Sequence, residues 1–376
     1  MQVSQFNIES KHRRDVGFVA SLEDFTLSGG SETEVSAVVD NRAVSLYCFD
    51  DVNRQAVFVE LPEQIDLTFE PFVYQSQYEH AQRVFTCSFD SFNRLAKQLP
   101  AVHRPIFIHI TGRSGSTLLN HALNASSLVK SLAEPDVVTQ FASLRHQSDT
   151  VHEGELRELA DSTMRFLFKD HHAPGIEAHA VKFRNQGTLV MDIFQSAFPQ
   201  GKNLFLYRNV EGFVASFQRI FRQVGLPESK PFSEWRDEWQ AYLAGDLGHF
   251  SHYVGGEQGE LTIAQQLTCW WVAVIEWYTA QHNRGIPAMA VSYAELVATR
   301  EETLSAIFRY CGLPTNRVAQ GLQAYAKDSQ AGTRHARENP LEVNSQQLSL
   351  DELTAVRGIL SKHALIGRSD FSVPSS

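Results

Sequence analysis

Four short apolar runs, at residues 106–110, 179–183, 203–207 and 288–292, are each followed by a stretch whose apolar residues recur with helical spacing. Runs this short suit strands buried on both faces, and strands that alternate with helices build a mostly parallel sheet flanked by helices. The larger part of the chain is therefore expected to be α/β. Leu118, Leu119, Ala122 and Leu123 form the helical stripe after the first run, and Phe213, Phe217, Ile220 and Phe221 the one after the third. A long amphipathic helix is expected over about 261–282. Its Trp270, Trp271 and Trp277 read as core residues, since large aromatics are buried more often than they hold a ligand.

The first hundred residues have a different texture. Strands are predicted at 35–39, 43–49 and 56–61, separated by the turn formers Asp40-Asn41 and by 50–53. The expected division is a smaller β-rich N-terminal domain of unassigned role, residues 1–100, and an α/β domain, residues 101–376, with the boundary in 98–104. With 376 residues, 43% of them hydrophobic and 20% charged, the chain has material for a large core. It contains no internal repeat.

No run approaches the roughly 20 apolar residues of a membrane-spanning helix. The first 20 residues carry Glu9, Lys11, Arg13, Arg14 and Asp15 where a signal peptide places an apolar stretch, so a cytoplasmic protein with no membrane partner is expected. Cys48, Cys87, Cys269 and Cys311 lack metal-ligand spacing and read as buried free thiols. The net charge is −10, and residues 1–100 hold 8 Lys+Arg against 15 Asp+Glu. Such a surface repels polyanions, which argues against nucleic acid or a highly sulfated polysaccharide as partner.

The first apolar run leads into Thr111-Gly112-Arg113-Ser114-Gly115-Ser116-Thr117 and then a leucine-rich helix. A strand, a loop of small residues and a helix start make an anion site. Glycines let backbone N–H groups converge, hydroxyls add donors, and the helix N-terminus adds partial positive charge. Arg113 supplies a full charge on a fork that suits an oxyanion. The loop is not the nucleoside triphosphate loop, which requires Gly-x-x-x-x-Gly-Lys-Ser/Thr; no Gly-Lys pair is present. No second strand-end aspartate stands ready for magnesium, and no metal is expected.

The segment 112–119 resembles the 5′-phosphosulfate loop of the sulfotransferases that use 3′-phosphoadenosine-5′-phosphosulfate (PAPS). The segment 204–209, followed by Ser216, resembles the same family's second donor motif, in which an arginine (here Arg208) and a serine (here Ser216) bind the 3′-phosphate. Asn209 departs from the aspartate usual after that arginine, which puts a local salt bridge in question. The likeness covers about residues 104–335 and is silent on the first hundred. It implies a P-loop-like parallel sheet, PAPS as co-substrate, adenosine 3′,5′-bisphosphate as product, and donor contacts from Gly112, Arg113, Ser114, Gly115, Ser116, Thr117, Arg208 and Ser216.

An acceptor must lose a proton as it attacks sulfur, so a general base is needed near the loop. Glu134 follows a short expected strand on the rim where open α/β sheets bind ligands. The tyrosine-sulfating members have a glutamate at the matching place, and the resemblance implies that Glu134 is the base. The other reading is a carboxylate that caps the helix starting at Pro135-Asp136. Lys182, at the end of its run, resembles the lysine with which those members stabilise the bridging oxygen; it is otherwise a solvated strand-end lysine, and Arg184 is an alternative cation. Arg113 completes the expected catalytic set. His103, His109 and His121 lie near the loop, but none stands where the histidine base of the small-molecule branch would be, and His109 reads as a core residue.

Tyr293 resembles a family residue near the nucleotide, with core packing the alternative. Ser329, Gly332, Thr333 and Arg334 either close over the 3′-phosphate or form a linker. The expected activity is sulfuryl transfer to a hydroxyl or amine of a small-molecule, natural-product-like acceptor. The rivals are a P-loop-type kinase or nucleotide-binding protein and a non-catalytic member of the fold.

Overall fold

The computed structural model describes residues 2–13, 18–146, 148–170, 174–223, 261–328, 347–368 and 371–376. Five strands in the first part, β1 (Val3–Lys11), β2 (Phe25–Thr33), β3 (Val44–Asp50), β4 (Gln55–Glu60) and β5 (Arg83–Ser88), form an antiparallel sheet in the order β2-β1-β5-β4-β3. Five more, β6 (Pro105–Ile110), β7 (Val129–Ala133), β8 (Ala178–Lys182), β9 (Lys202–Tyr207) and β10 (Ala288–Ser292), form a parallel sheet in the order β10-β9-β6-β8-β7. Every residue of β6 and β8 is buried, His109, His179 and Lys182 included, as expected for strands covered on both faces.

The run at 35–39 is a correction to the expected strands: it forms the helical turn Ser36–Val39. Its β-branched residues favour a strand only where a partner strand exists. Here Asp40 N–H instead donates to the Ser36 carbonyl oxygen at 2.9 Å, and Val38 is buried.

The two sheets share a core. One continuous buried cluster takes in Phe58, Phe85 and Phe92 from the first part and Phe107, Leu132 and Phe183 from the second. The helix Glu153–Leu167 lies between them: Phe166 stacks on Phe92 at 5.0 Å and meets Phe58 edge-on at 5.0 Å. Next to it the helix Met191–Ala197 covers the parallel sheet, with Phe194 against Phe107 and Phe183. The opposite face carries the helices Ser116–Ala125 and Arg300–Tyr310. The helix Ile263–Asn283 buries Trp270, Trp271 and Trp277 beside β9, where Tyr278 stacks on Phe205 at 3.8 Å. All four cysteines are free and buried. No helix among the described residues is long and apolar enough to cross a membrane.

His109 sits wholly buried in β6, stacked on Phe183 at 4.7 Å. Asn203 Nδ2 donates to Gln195 and to the Pro287 carbonyl oxygen, so Asn203 Oδ1 is the acceptor for His109 Nε2–H at 3.3 Å. Burial pushes the imidazole pKa down to about 4, the Asn203 bond opposing it. The folded value lies below that of the unfolded chain, so the stabilisation is whole above about pH 6.5 and is lost as pH falls toward 4. Between pH 7 and pH 4 wild type is expected to lose on the order of 3 kcal/mol more unfolding free energy than His109→Gln in urea titrations.

Candidate active site

In the parallel sheet β6 is central. The chain leaves it toward β7 on one side, whereas the connection after β9 runs to β10 on the other. The carboxyl ends of β6 and β9 therefore flank the crevice where open α/β sheets bind ligands. The loop 111–115 fills this place. Thr111 N–H donates to the Leu206 carbonyl oxygen at 3.0 Å, and Arg208 N–H donates to Thr111 Oγ1 at 3.3 Å, which fastens the loop to β9.

Three loop residues have left-handed backbones: Gly112 (φ 88°), Arg113 (φ 53°) and Gly115 (φ 81°). Gly115 is required twice over, because a Cβ there would also lie 2.8 Å from Leu296 Cδ2 and 3.1 Å from Tyr293 Cδ2. The helix Ser116–Ala125 then begins with no side-chain cap, unlike the helices Phe89–Ala96, Ile263–Asn283, Tyr293–Ala298 and Leu350–Leu360, which Ser88, Thr262, Ser292 and Ser349 cap. Its first-turn amides have no carbonyl partners within the helix. Ser114 is buried, and its hydroxyl has no hydrogen-bond partner among the described residues.

Two arginines converge on this loop. Arg113 Nε donates to Ser216 Oγ at 3.0 Å, so Ser216, on the helix Val210–Gln223, reaches the loop arginine. Arg208 Nη1 lies 3.5 Å from the Arg113 carbonyl oxygen, and the Arg208 guanidinium sits 4.5 Å from the centroid of the Tyr293 ring. The Arg208 side chain folds back along the first turn of its helix, over Gly212, where a Cβ would come within 2.6 Å of Arg208 Nε. Asn209, just before the helix Val210–Gln223, accepts at its Oδ1 from Gly212 N–H at 3.2 Å. Trp271 Nε1 donates to the Arg208 carbonyl oxygen at 2.8 Å and fixes the strand end from below.

The opposite side of the loop carries a buried charge pair. Lys182 ends β8 at 1% side-chain exposure; its Nζ lies 2.8 Å from Glu134 Oε1 and donates to Thr117 Oγ1 at 3.0 Å. Glu134 does not cap the following helix, Asp136–Thr139, whose N-terminus has no side-chain cap. Glu134 N–H donates to the Lys182 carbonyl oxygen at 2.8 Å, and its own φ is 56°. Phe72, from the antiparallel part, faces the Lys182 ammonium at 5.4 Å. His121, one turn beyond Thr117, has its pKa lowered by burial and by the charge of Lys182, which keeps the ring neutral at neutral pH.

The chain matches no family model, and no curated protein resembles it in sequence. Among solved structures it is similar to the sulfotransferase STF9 from Mycobacterium avium. That match has 13% identity and a TM-score of 0.39 and covers 71% of this chain and 77% of that one. A second likeness is to the sulfotransferase domain from the curacin biosynthetic pathway, at 17% identity and a TM-score of 0.33, over 74% of this chain and 94% of that one. Both are sulfotransferases. At these scores neither likeness assigns an activity to this chain.

The sequence-derived candidates gather in one crevice: the loop 112–117 with Arg208, Ser216 and Tyr293 on one side, Lys182 and Glu134 on the other. Tyr293 is half-buried, beside Gly115 and with its ring centroid 4.5 Å from the Arg208 guanidinium. Ser329, Gly332, Thr333 and Arg334 lie outside the described residues. Arg184 is buried, paired with Asp136 at 2.8 Å and stacked on Tyr74 at 3.8 Å. Sequence reasoning missed Gly212 and Phe72. A glycine in the first turn of a helix, four residues after a strand-end arginine, is a local signal for Gly212; Phe72 has none, because its contact is made across the fold.

Proposed function

We propose that the chain is a PAPS-dependent sulfotransferase acting on a hydroxyl or amine of a small-molecule acceptor. The observation that carries this reading is the pairing of an uncapped, lysine-free anion loop with a second cationic group, Arg208, held beside it by Thr111, Gly212 and Tyr293. Two anion subsites on one loop suit a nucleotide with phosphates at both its 5′ and 3′ positions. A nucleoside triphosphate, by contrast, calls for a lysine and a metal at the loop.

The donor supplies an activated sulfuryl group, which passes in line to the acceptor as the acceptor–sulfur bond forms and the bond to the 5′-phosphate oxygen breaks. The chain's own residues do the rest. Glu134 receives the acceptor's proton, with Lys182 Nζ 2.8 Å from its Oε1. Lys182 is ion-paired with Glu134 and donates one N–H to Thr117, and a remaining N–H is assigned to the bridging oxygen, where negative charge grows in the transition state. Arg113 and the first-turn amides of Ser116–Ala125 take the 5′-phosphate, and Arg208 and Ser216 the 3′-phosphate. The acceptor enters from the side that Phe72 and His121 border.

Equilibrium titration separates this reading from its rivals. Adenosine 3′,5′-bisphosphate is expected to bind in EDTA at least roughly tenfold more tightly than adenosine 5′-phosphate, the worth of one charge-assisted phosphate contact. Magnesium-dependent ATP binding in place of this would make the chain a P-loop-type kinase or nucleotide-binding protein.

A further inference from the structure

A left-handed backbone costs a residue with a side chain roughly 1–3 kcal/mol and persists only where its surroundings hold it. Glu134, at φ 56°, donates its N–H to the Lys182 carbonyl oxygen at 2.8 Å and lies beside two ion pairs on neighbouring strand ends. β7 and β8 run parallel with Ala133 opposite Lys182. Just beyond that register Glu134 pairs with Lys182 at 2.8 Å, and two residues further along each chain Asp136 pairs with Arg184 at 2.8 Å. The single residue between Glu134 and Asp136 is Pro135, whose ring fixes its own φ near −65°. What fixes Asp136 therefore fixes Glu134 across one stiff link.

Asp136 is fixed from outside the parallel sheet. It is wholly buried, and its Oδ2 accepts from Arg13 Nη2 at 2.7 Å and from Ala20 N–H at 2.8 Å, groups 123 and 116 residues distant in sequence. Arg13 is itself buried at 2% side-chain exposure, 5.6 Å from the Tyr74 ring and 5.9 Å from the Tyr78 ring. Tyr74 covers the Arg184 guanidinium on its other side at 3.8 Å. Joining the two sheets needs no such arrangement, since Phe58, Phe92 and Phe166 already do so with apolar contact. A buried cluster of charges, in which Arg13 also pairs with Asp24 at 3.8 Å, adds little net stability over packed hydrophobics.

We propose that Arg13 is a positioning residue for the Glu134–Lys182 pair, clamping Asp136 so that Glu134 stays in its left-handed conformation with its carboxylate on Lys182. This gives the N-terminal part a task in the chemistry, and it rests on the role assigned to Glu134 under the proposed function.

The test compares Arg13→Met with Lys169→Met. Lys169 is a second, half-buried cation joining the two parts, its Nζ donating to the carbonyl oxygens of Val38 at 2.6 Å and Asn41 at 2.8 Å. Both variants are expected to melt earlier. Only Arg13→Met is expected to lower kcat, by roughly 10–100-fold for a displacement near 1 Å, with acceptor KM and the Kd of adenosine 3′,5′-bisphosphate unchanged. Crystal structures of both variants read the geometry without turnover: the Lys182–Glu134 separation is expected to exceed about 4 Å, the limit of an ion pair, only in Arg13→Met. Arg13→Lys, which keeps the charge and loses the fork, gives the same readout at smaller scale should methionine prevent folding. An intact pair in the Arg13 variants, or an equal kcat loss in Lys169→Met, overturns the proposal. Undiminished turnover in Glu134→Gln would instead overturn the assigned base, while the crystal structures still report on the clamp.

Discussion

Replacing Glu134 by glutamine is expected to lower kcat by roughly 10²–10⁴-fold, the usual worth of a general base, while adenosine 3′,5′-bisphosphate binds as before. Glutamine keeps the size of the side chain and an oxygen that can accept from Lys182, but it cannot take the acceptor's proton. Lys182→Ala is expected to cost turnover by roughly 10²–10³-fold through loss of charge stabilisation at the bridging oxygen. It also leaves the Glu134 carboxylate without the cation 2.8 Å away. Single-turnover kinetics with saturating donor separates these effects from binding. Undiminished rates in both variants would remove the pair from the mechanism and leave a donor-binding protein of the same fold.

The second large effect belongs to Arg208. Arg208→Ala is expected to weaken adenosine 3′,5′-bisphosphate by roughly 10–150-fold, the equivalent of one hydrogen bond to a charged group, and to leave adenosine 5′-phosphate nearly unchanged. Lysine in its place would not restore the selectivity, because the fork that spans two phosphate oxygens and stacks on Tyr293 would be gone. Calorimetric titration of both nucleotides against both variants is the measurement. Equal weakening of the two nucleotides would mean that Arg208 serves the loop, through its contact with the Arg113 carbonyl oxygen, and not the 3′-phosphate.

These predictions draw on residues that sequence made visible for a physical reason. Strands β6 and β8 are buried on both faces, so they stand out as apolar runs, and the loop after β6 needs left-handed glycines that stand out as well. The first part was harder to read. β1 and β2 pair with register shifts between Gln5 and Asn7 and between Ile8 and Ser10, which break the period of two that betrays a half-buried strand. The Thr117–Lys182 contact and the Asp136 clamp bring together residues 65 and 123 positions apart, and nothing local announces either. Arg13 looked like one more charge in a polar N-terminus; only the fold shows it buried against Asp136.

The left-handed backbone at Glu134 also bears on how such a sequence could drift. Glycine or asparagine would adopt φ 56° at less cost, but either would leave the buried Lys182 ammonium without its carboxylate, a penalty of roughly 3–5 kcal/mol against roughly 1–3 kcal/mol of backbone strain relieved. The strained conformation at position 134 is therefore carried by a charge pair and not by the backbone, and Glu134→Gly is expected to melt earlier than wild type although its main chain relaxes.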